Sequence, residues 1–281
     1  MLAYKGVMSI RVWLYPLKAA LQNFILRRKF EAFYERQLVP NSPFLTKEEC
    51  HAEFNSTKDD MLVRLFAHLS QTQVLDVGCN DGRTSIYYGD LLPNATFHLF
   101  EAHPFVAEKA ANRIAQHPHP DRFHLNCFAV GEVPGEAVLH VSRMPDANDW
   151  RAEVSNSSSL LPPKLHKERY HGVKFDDQLT VEVKTLAAHV DQVGIQPDFL
   201  HIDVQGFELS ALRGMGDYLK QLTAIWIEVE TIELYEGQPL KLDVEAYLSS
   251  AGFECVLDLG RKQVGDQFWV KPKALSRVQA Q

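Results

Sequence analysis

The chain has 281 residues, of which 46% are hydrophobic and 23% are charged, as expected for a globular protein with a sizeable core. Its formal net charge of −7 at pH 7 offers no basic surface to neutralise phosphates, which argues against nucleic acid and polyanionic partners. The 4 cysteines form no C-x-x-C pair and have no histidine at zinc spacing, which predicts reduced thiols in a cytoplasmic protein.

Residues 1–30 contain six basic residues and no acidic one, and their apolar side chains recur partly at helical spacing. No apolar run in this segment reaches the roughly 18 residues of a membrane span. Two interpretations stay open. The segment is either an interfacial helix, peripheral to the inner face of a membrane, or a helix that packs on the rest of the chain with its basic face in water.

From residue 71 onward, predicted strands and helices alternate, which favours a mostly parallel sheet with helices on both faces. This pattern divides the chain into a helical N-terminal extension (1–70), one α/β domain (71–273) and a tail (274–281). The predicted strands are 73–77, 97–101, 123–130, 136–142, 180–184, 198–203, 223–229, 253–257 and 266–270. The predicted helices lie near 58–69, 83–91, 104–116, 185–193, 207–213, 215–221 and 243–250.

Residues 74–82, with the sequence VLDVGCNDG, predict a buried strand that runs into a glycine turn and then a helix. The next predicted strand ends at Glu101, where a carboxylate is well placed to bind ribose hydroxyls. Together these features indicate a site for a nucleoside cofactor. Asn80 stands where the dinucleotide fingerprint has its middle glycine, which disfavours NAD. Asparagine tolerates a left-handed backbone, so the turn can still form.

Two further segments interrupt this alternation of strands and helices. Strand 136–142 follows a Pro-Gly pair and is predicted to form a hairpin with strand 123–130. Residues 144–179 are rich in serine, proline and asparagine, and a loop of this length is usually functional or disordered. We interpret the loop as a lid that recognises substrate, with Trp150 and Tyr170 as aromatic contacts; the alternative is a solvated insertion.

A second motif covers residues 198–214, with the sequence DFLHIDVQGFELSALRG. Together with VLDVGCNDG and the segments FEAHP at 100–104, NSSSL at 156–160 and YEGQP at 235–239, it resembles the FkbM family of methyltransferases over about residues 70–272. The resemblance implies a Rossmann-like class I methyltransferase fold with a mostly parallel seven-stranded sheet. It also implies methyl transfer from S-adenosylmethionine to a hydroxyl of a sugar, glycan or other natural product. His201 and Gln205 depart from the lysine and glutamate that many members carry.

The cofactor contacts follow from the glycine turn, from Glu101 and from this resemblance. Glu101 is predicted to accept both ribose hydroxyls, whereas Asp81 either faces the methionine carboxylate or caps the following helix. The adenine contacts are implied by the resemblance alone, and apolar packing is the alternative for those residues. The complete set is Asp76, Gly78, Asn80, Asp81, Gly82, Glu101, Ala102, Phe128 and Ala129.

On the acceptor side, Asp203 is the leading candidate, either as general base or as the group that orients one. His201 lies two residues earlier and is predicted either to pair with Asp203 or to be a buried core residue. Glu208 either caps a helix or faces the acceptor, Glu230 extends the next strand, and His103 is a further basic candidate. Acids at one crevice permit a divalent metal but do not require one, so no metal is predicted. The alternative to an enzyme is a non-catalytic scaffold that binds S-adenosylmethionine.

Overall fold

The structure, a computed structural model, describes residues 47–144, 154, 156–258 and 263–279. The chain falls into two compact units, Met1–Thr57 and Lys58–Gln281, and the second unit contains the sheets described below. The N-terminal segment 1–30 lies outside the described residues. Every helix in the described ranges is too short or too polar to cross a lipid bilayer. The predicted domain limits stay a prediction.

Strands and helices alternate along the second unit, as the sequence predicts. The strands are β1 (Thr72–Val77), β2 (Ala95–Phe100), β3 (Phe123–Asn126), β4 (Ala129–Val130), β5 (Gly135–Arg143), β6 (Lys174–Lys184), β7 (Phe199–Ile202), β8 (Ala224–Glu230), β9 (Glu254–Asp258) and β10 (Val264–Val270). The helices are α1 (Lys47–Phe66), α2 (Arg83–Leu91), α3 (Pro104–Ile114), α4 (His166–Arg169), α5 (Leu186–Val193), α6 (Glu208–Arg213), α7 (Lys241–Ser250) and α8 (Pro272–Gln279). The helix predicted at 215–221 is a 3-10 helix, Gly216–Gln221.

Seven strands form one sheet in the order β3-β2-β1-β7-β8-β10-β9. The first five are parallel, and β10 runs antiparallel to both of its neighbours. The predicted Rossmann-like, mostly parallel seven-stranded sheet is therefore confirmed. The strand order reverses beside β1, and in open α/β sheets ligands bind beyond the carboxyl ends of the strands at such a point.

Both faces of this sheet are buried under helices, which explains why its central strands are mainly apolar, with Asp76 of β1 and His201 of β7 as buried exceptions. On one face, Leu75 belongs to a core cluster that includes Leu186 of α5. On the other face, the ring of Phe199 lies 6.0 Å from that of Phe66 on α1 and 5.7 Å from that of Tyr88 on α2. The two faces of the sheet thus meet different helices.

A second sheet, in the order β4-β6-β5, overturns two sequence predictions. Residues 123–130 are not one strand. The Asn126 amide donates to the Leu99 carbonyl at 3.1 Å, and the chain then leaves the large sheet and pairs with β6 through Ala129 and Val130. The partner of β5 is β6 rather than strand 123–130, so the predicted hairpin is wrong. Strand β6 begins six residues earlier than predicted. Little in the sequence indicates this start, because the first half of the strand is largely exposed and carries little apolar alternation.

The predicted loop 144–179 is only partly irregular, because it contains α4 and the start of β6. Two isolated bridges, between His140 and Ser159 and between Pro163 and Tyr235, tie its middle to the rest of the domain. Tyr170 is exposed, and Trp150 lies outside the described residues.

Candidate active site

The glycine turn after β1 has the backbone that the sequence predicts. Gly78 has φ +82°, and a Cβ there would lie 1.8 Å from the carbonyl oxygen of Asp203, so only glycine fits between the ends of β1 and β7. Asn80 has φ +50°, which confirms the predicted left-handed backbone. The turn therefore brings the chain after β1 into close contact with the chain after β7.

Glu101 is held by backbone donors on both sides of its carboxylate. Oε2 accepts from the N–H of Asn80 at 3.1 Å, and Oε1 accepts from the N–H of His103 at 2.8 Å. Burial raises the pKa of Glu101 to about 7 and outweighs these two hydrogen bonds, which lower it. The two bonds fix the carboxylate at the mouth of the turn, where it keeps further lone pairs for a ligand.

A cavity of about 260 Å³ opens where these elements meet. Its volume is close to the lower limit, about 300 Å³, of typical small-molecule sites. Among the predicted site residues, those that line the cavity are Gly78, Asn80, Asp81, Glu101, Ala102, His103, Phe128, Ala129, His201 and Asp203. The predicted residues that do not line it are Asp76, Gly82, Glu208 and Glu230.

Asp76 lies beneath the cavity rather than on its wall. It is fully buried, accepts from the hydroxyl of Ser85 through Oδ2, and lies 2.7 Å from Nδ1 of His201 through Oδ1. Of the two alternatives predicted for His201, the pair with Asp203 does not form, and His201 is a buried residue whose partner is Asp76. The reason is the strand register: Asp76 and His201 are directly opposite on β1 and β7, whereas Asp203 follows the end of β7.

Asp81 anchors the start of α2. Its Oδ1 accepts from the N–H of Arg83 at 3.3 Å, and its Oδ2 accepts from the Arg113 guanidinium at 2.9 Å. Gly82, with φ +79°, occupies the N-cap position itself. Asp81 therefore links α2 to α3 while one side of the residue still lines the cavity.

On the acceptor side, the amide of Gln205 bridges two carboxylates. Its Nε2 donates to Oδ1 of Asp203 at 2.8 Å and to Oε2 of Glu228 at 2.7 Å. Its Oε1 accepts from the Tyr235 hydroxyl at 3.1 Å, and its main chain has φ +53°. Gln205 thus fixes the positions of three side chains at once. Its only signal in the sequence was its departure from the FkbM pattern.

Glu208 and Glu230 lie behind this bridge. Glu208 accepts from the N–H groups of Val204 at 2.9 Å and of Gly206 at 3.2 Å, so it holds the turn between β7 and α6. Burial, supported by nearby carboxylates, raises the pKa of Glu208 to about 7 and that of Glu230 to about 9. Burial and the Asp203 charge also raise the pKa of Glu228. Glu230 therefore keeps its proton at neutral pH, and Glu208 titrates close to neutral pH.

Oxygens of Asp203, Glu208 and Glu228 lie within 4.8 Å of one another. Hard oxygen ligands of this kind suit magnesium or calcium. The Gln205 amide, however, already donates to two of the three carboxylates.

The segment 156–160 supplies part of the cavity wall through Asn156, Ser158, Ser159 and Leu160. Ser159 Oγ donates to the main-chain oxygen of Gln205 at 2.7 Å, and the Tyr235 hydroxyl shares its single proton between the Ser157 carbonyl, at 2.8 Å, and Gln205 Oε1, at 3.1 Å. The family motifs NSSSL and YEGQP thus meet at the acceptor side.

Comparison with known proteins adds two sequence matches. The profile of the methyltransferase FkbM domain matches residues 76–255. The chain is 33% identical over 197 residues to the 2-O-methyltransferase NoeI of Sinorhizobium fredii (strain NBRC 101917 / NGR234), covering 69% of this chain and 76% of that protein.

Solved structures give weaker matches. The METTL16 MTase domain has a TM-score of 0.44 at 10% identity, covering 83% of this chain and 70% of that one. The magnesium protoporphyrin IX methyltransferase of Synechocystis PCC 6803, solved with bound SAM, has a TM-score of 0.42 at 11% identity, covering 90% and 96%. At these scores the two structures have no bearing on the assignment.

Proposed function

This chain belongs to the FkbM methyltransferase family, and we propose that it transfers a methyl group from S-adenosylmethionine to a hydroxyl oxygen of a sugar, glycan or other small natural product. The observation that carries the proposal is the shared cavity onto which Glu101 and Asp203 both open, on either side of the Gly78 turn. The name of the curated relative, a 2-O-methyltransferase, supports oxygen as the acceptor atom.

The residues of the cavity suit the adenosyl cofactor. Glu101 offers fixed acceptor lone pairs for two ribose hydroxyls, and Phe128 and Ala129 offer an apolar wall for a purine. When bound, S-adenosylmethionine supplies an electrophilic methyl group on a sulfonium centre. The protein must bind the acceptor in line with that group and remove the hydroxyl proton.

On the acceptor side, Asp203 would bind and orient the hydroxyl. Asp203 lines the cavity, and the Gln205 amide fixes the position of its Oδ1. Glu208 and Glu230 do not line the cavity, and Glu208 instead holds the turn that follows Asp203 through its bonds to Val204 and Gly206. We also propose that the protein is cytoplasmic and that its acceptor is a sugar, glycan or other small natural product.

Calorimetric titration of the full chain with S-adenosylmethionine, S-adenosylhomocysteine and NAD tests the cofactor. We expect both adenosyl compounds to bind and Glu101→Ala to weaken their binding about 10- to 100-fold, because hydrogen bonds to charged groups contribute about 1.5–3 kcal/mol. Glu108→Ala, on the exposed face of α3, is the matched control and should bind normally. Binding of NAD in place of the adenosyl compounds would contradict the proposal.

The alternative is a scaffold that binds the cofactor without turnover. The Asp203→Asn variant distinguishes such a scaffold from an enzyme. Formation of S-adenosylhomocysteine with a panel of methyl hexopyranosides measures transfer. In an enzyme, this variant should lose transfer and still bind S-adenosylmethionine. The name of the relative in Sinorhizobium fredii is that of a transferase, which favours the enzyme.

A further inference from the structure

His201 is held by a chain of buried hydrogen bonds that ends at the cavity. His201 lines the cavity, its side chain is 11% exposed, and its Nδ1 lies 2.7 Å from Oδ1 of Asp76. Asp76 is fully buried and accepts from the Ser85 hydroxyl through its other oxygen. A carboxylate bonded to Nδ1 makes Nδ1 the protonated nitrogen of the neutral imidazole, which leaves Nε2 as the proton acceptor.

The ring has little freedom to rotate away from this position. Tyr88 packs edge-on against it with ring centroids 5.5 Å apart, and the Lys58 amine donates to the Tyr88 hydroxyl at 3.3 Å. Because Asp76 and His201 are register partners in adjacent strands, the main chain itself maintains their pairing. In many enzymes a hydroxyl group is activated by a base whose tautomer is fixed by a hydrogen-bonded partner.

We propose that His201 is the general base of the methyl transfer and that Asp76 is the positioning residue that orients it. As the acceptor O–H bond breaks, its proton bonds to Nε2. The electron pair left on oxygen forms the bond to the methyl carbon, and the pair of the broken carbon–sulfur bond stays on sulfur. This inference rests on the proposed function and names the residue that performs its proton transfer.

Asp203 is less suited to this step, because Oδ1 already accepts from Gln205. The charged groups that face His201 are Asp76, Asp203 and Asp266. Burial lowers the pKa of His201, but these carboxylates, and Asp76 above all, outweigh burial and raise it above 6.5. Since only neutral imidazole accepts a proton, transfer should increase as pH rises through this pKa.

The test compares His201→Gln, which keeps a donor for Asp76 but offers no base, with His189→Gln on α5 as matched control. At saturating S-adenosylmethionine, with methyl hexopyranosides as acceptors, His201→Gln should lower kcat about 10²- to 10⁴-fold. Calorimetric binding of S-adenosylhomocysteine should stay within about threefold of wild type, a change of less than about 1 kcal/mol. His189→Gln should retain wild-type transfer. Added imidazole should restore part of the activity of His201→Ala.

A second readout needs no acceptor. Among the ring NMR signals of the 12 histidines, the signal lost in His201→Gln identifies His201 in the complex with S-adenosylhomocysteine. Asp76→Asn should lower the pKa of that signal and move the rising limb of the kcat profile to lower pH. A His201 signal insensitive to Asp76→Asn, or His201→Gln transfer within about threefold of wild type, overturns the inference. Failure of the wild type to bind S-adenosylmethionine overturns the proposed function instead.

Discussion

Asp76 and His201 are 125 positions apart in the sequence, yet Oδ1 of Asp76 and Nδ1 of His201 are separated by 2.7 Å at the base of the candidate active site. Asp76 lies in the first motif, two residues before Gly78, and His201 lies in the second motif, residues 198–214. The hydrogen bond therefore joins the cofactor side of the cavity to its acceptor side.

Cofactor binding should depend on pH through Glu101. Its pKa of about 7 in the free protein means that its carboxyl group is protonated below neutral pH. Ribose hydroxyls donate to the charged form, so binding should strengthen as pH rises from about 6 to 8 and should release a proton. Calorimetry at pH 7 in buffers of different ionisation enthalpy measures that proton. Glu101→Gln should abolish the release, and binding without proton release in the wild type would contradict this prediction.

Asn80 should be replaceable by glycine but not by alanine. Its φ of +50° costs a residue with a Cβ about 1–2 kcal/mol, a cost that asparagine tolerates best and glycine avoids. Asn80→Ala should therefore lower the free energy of unfolding by about 1 kcal/mol, whereas Asn80→Gly should stay close to wild type. Urea denaturation of both variants measures the difference. Equal destabilisation by the two would show that the side chain, not the backbone, matters.

The large sheet was predictable because most of its strands contain a short apolar run, such as Val74 and Leu75 in β1 or Phe199 and Leu200 in β7. Glu101 could be placed because an acid at the end of the second strand must lie at the carboxyl edge of a parallel sheet. The small sheet was not predictable in the same way. The first half of β6 is largely exposed, and residues 123–130 contain no glycine or proline to indicate that the chain changes sheets at Asn126.

The side-chain contacts between neighbouring strands could not be predicted from the sequence either. The pairing of Asp76 with His201 depends on β7 being the neighbour of β1 and on their register, neither of which a local pattern specifies. Gln205 has a left-handed backbone that glutamine rarely adopts, so its position between Asp203 and Glu228 had no local signal.

Stability should decrease as pH rises because of the acids behind the site. Glu230 is 2% exposed and has a pKa of about 9, so the folded state keeps a proton that the unfolded state loses near pH 4.5. The unfolded state then binds fewer protons, and the free energy of unfolding falls between about pH 4.5 and 9. Glu230→Gln needs no such proton and should be more stable at pH 8 by at least about 1 kcal/mol.

Denaturation at pH 5 and at pH 8 measures this difference for Glu230→Gln. Glu108→Gln, on the exposed face of α3, is the control and should follow the wild-type curve. A variant whose stability falls with pH as steeply as that of the wild type would show that Glu230 does not hold the proton.

The amide of Gln205 should determine whether the acidic cluster takes up a cation. It donates to Asp203 and Glu228, so the wild type should need no divalent metal, and its melting temperature should not respond to magnesium or EDTA. Gln205→Glu replaces this donor with a carboxylate beside two others, a set of hard oxygen ligands for magnesium or calcium. Its melting temperature should rise by about 5–10 °C at a hundredfold excess of metal over Kd. Gln178→Glu, exposed on β6, should show no rise. A wild type that is itself stabilised by magnesium would show instead that the cluster binds metal despite the amide.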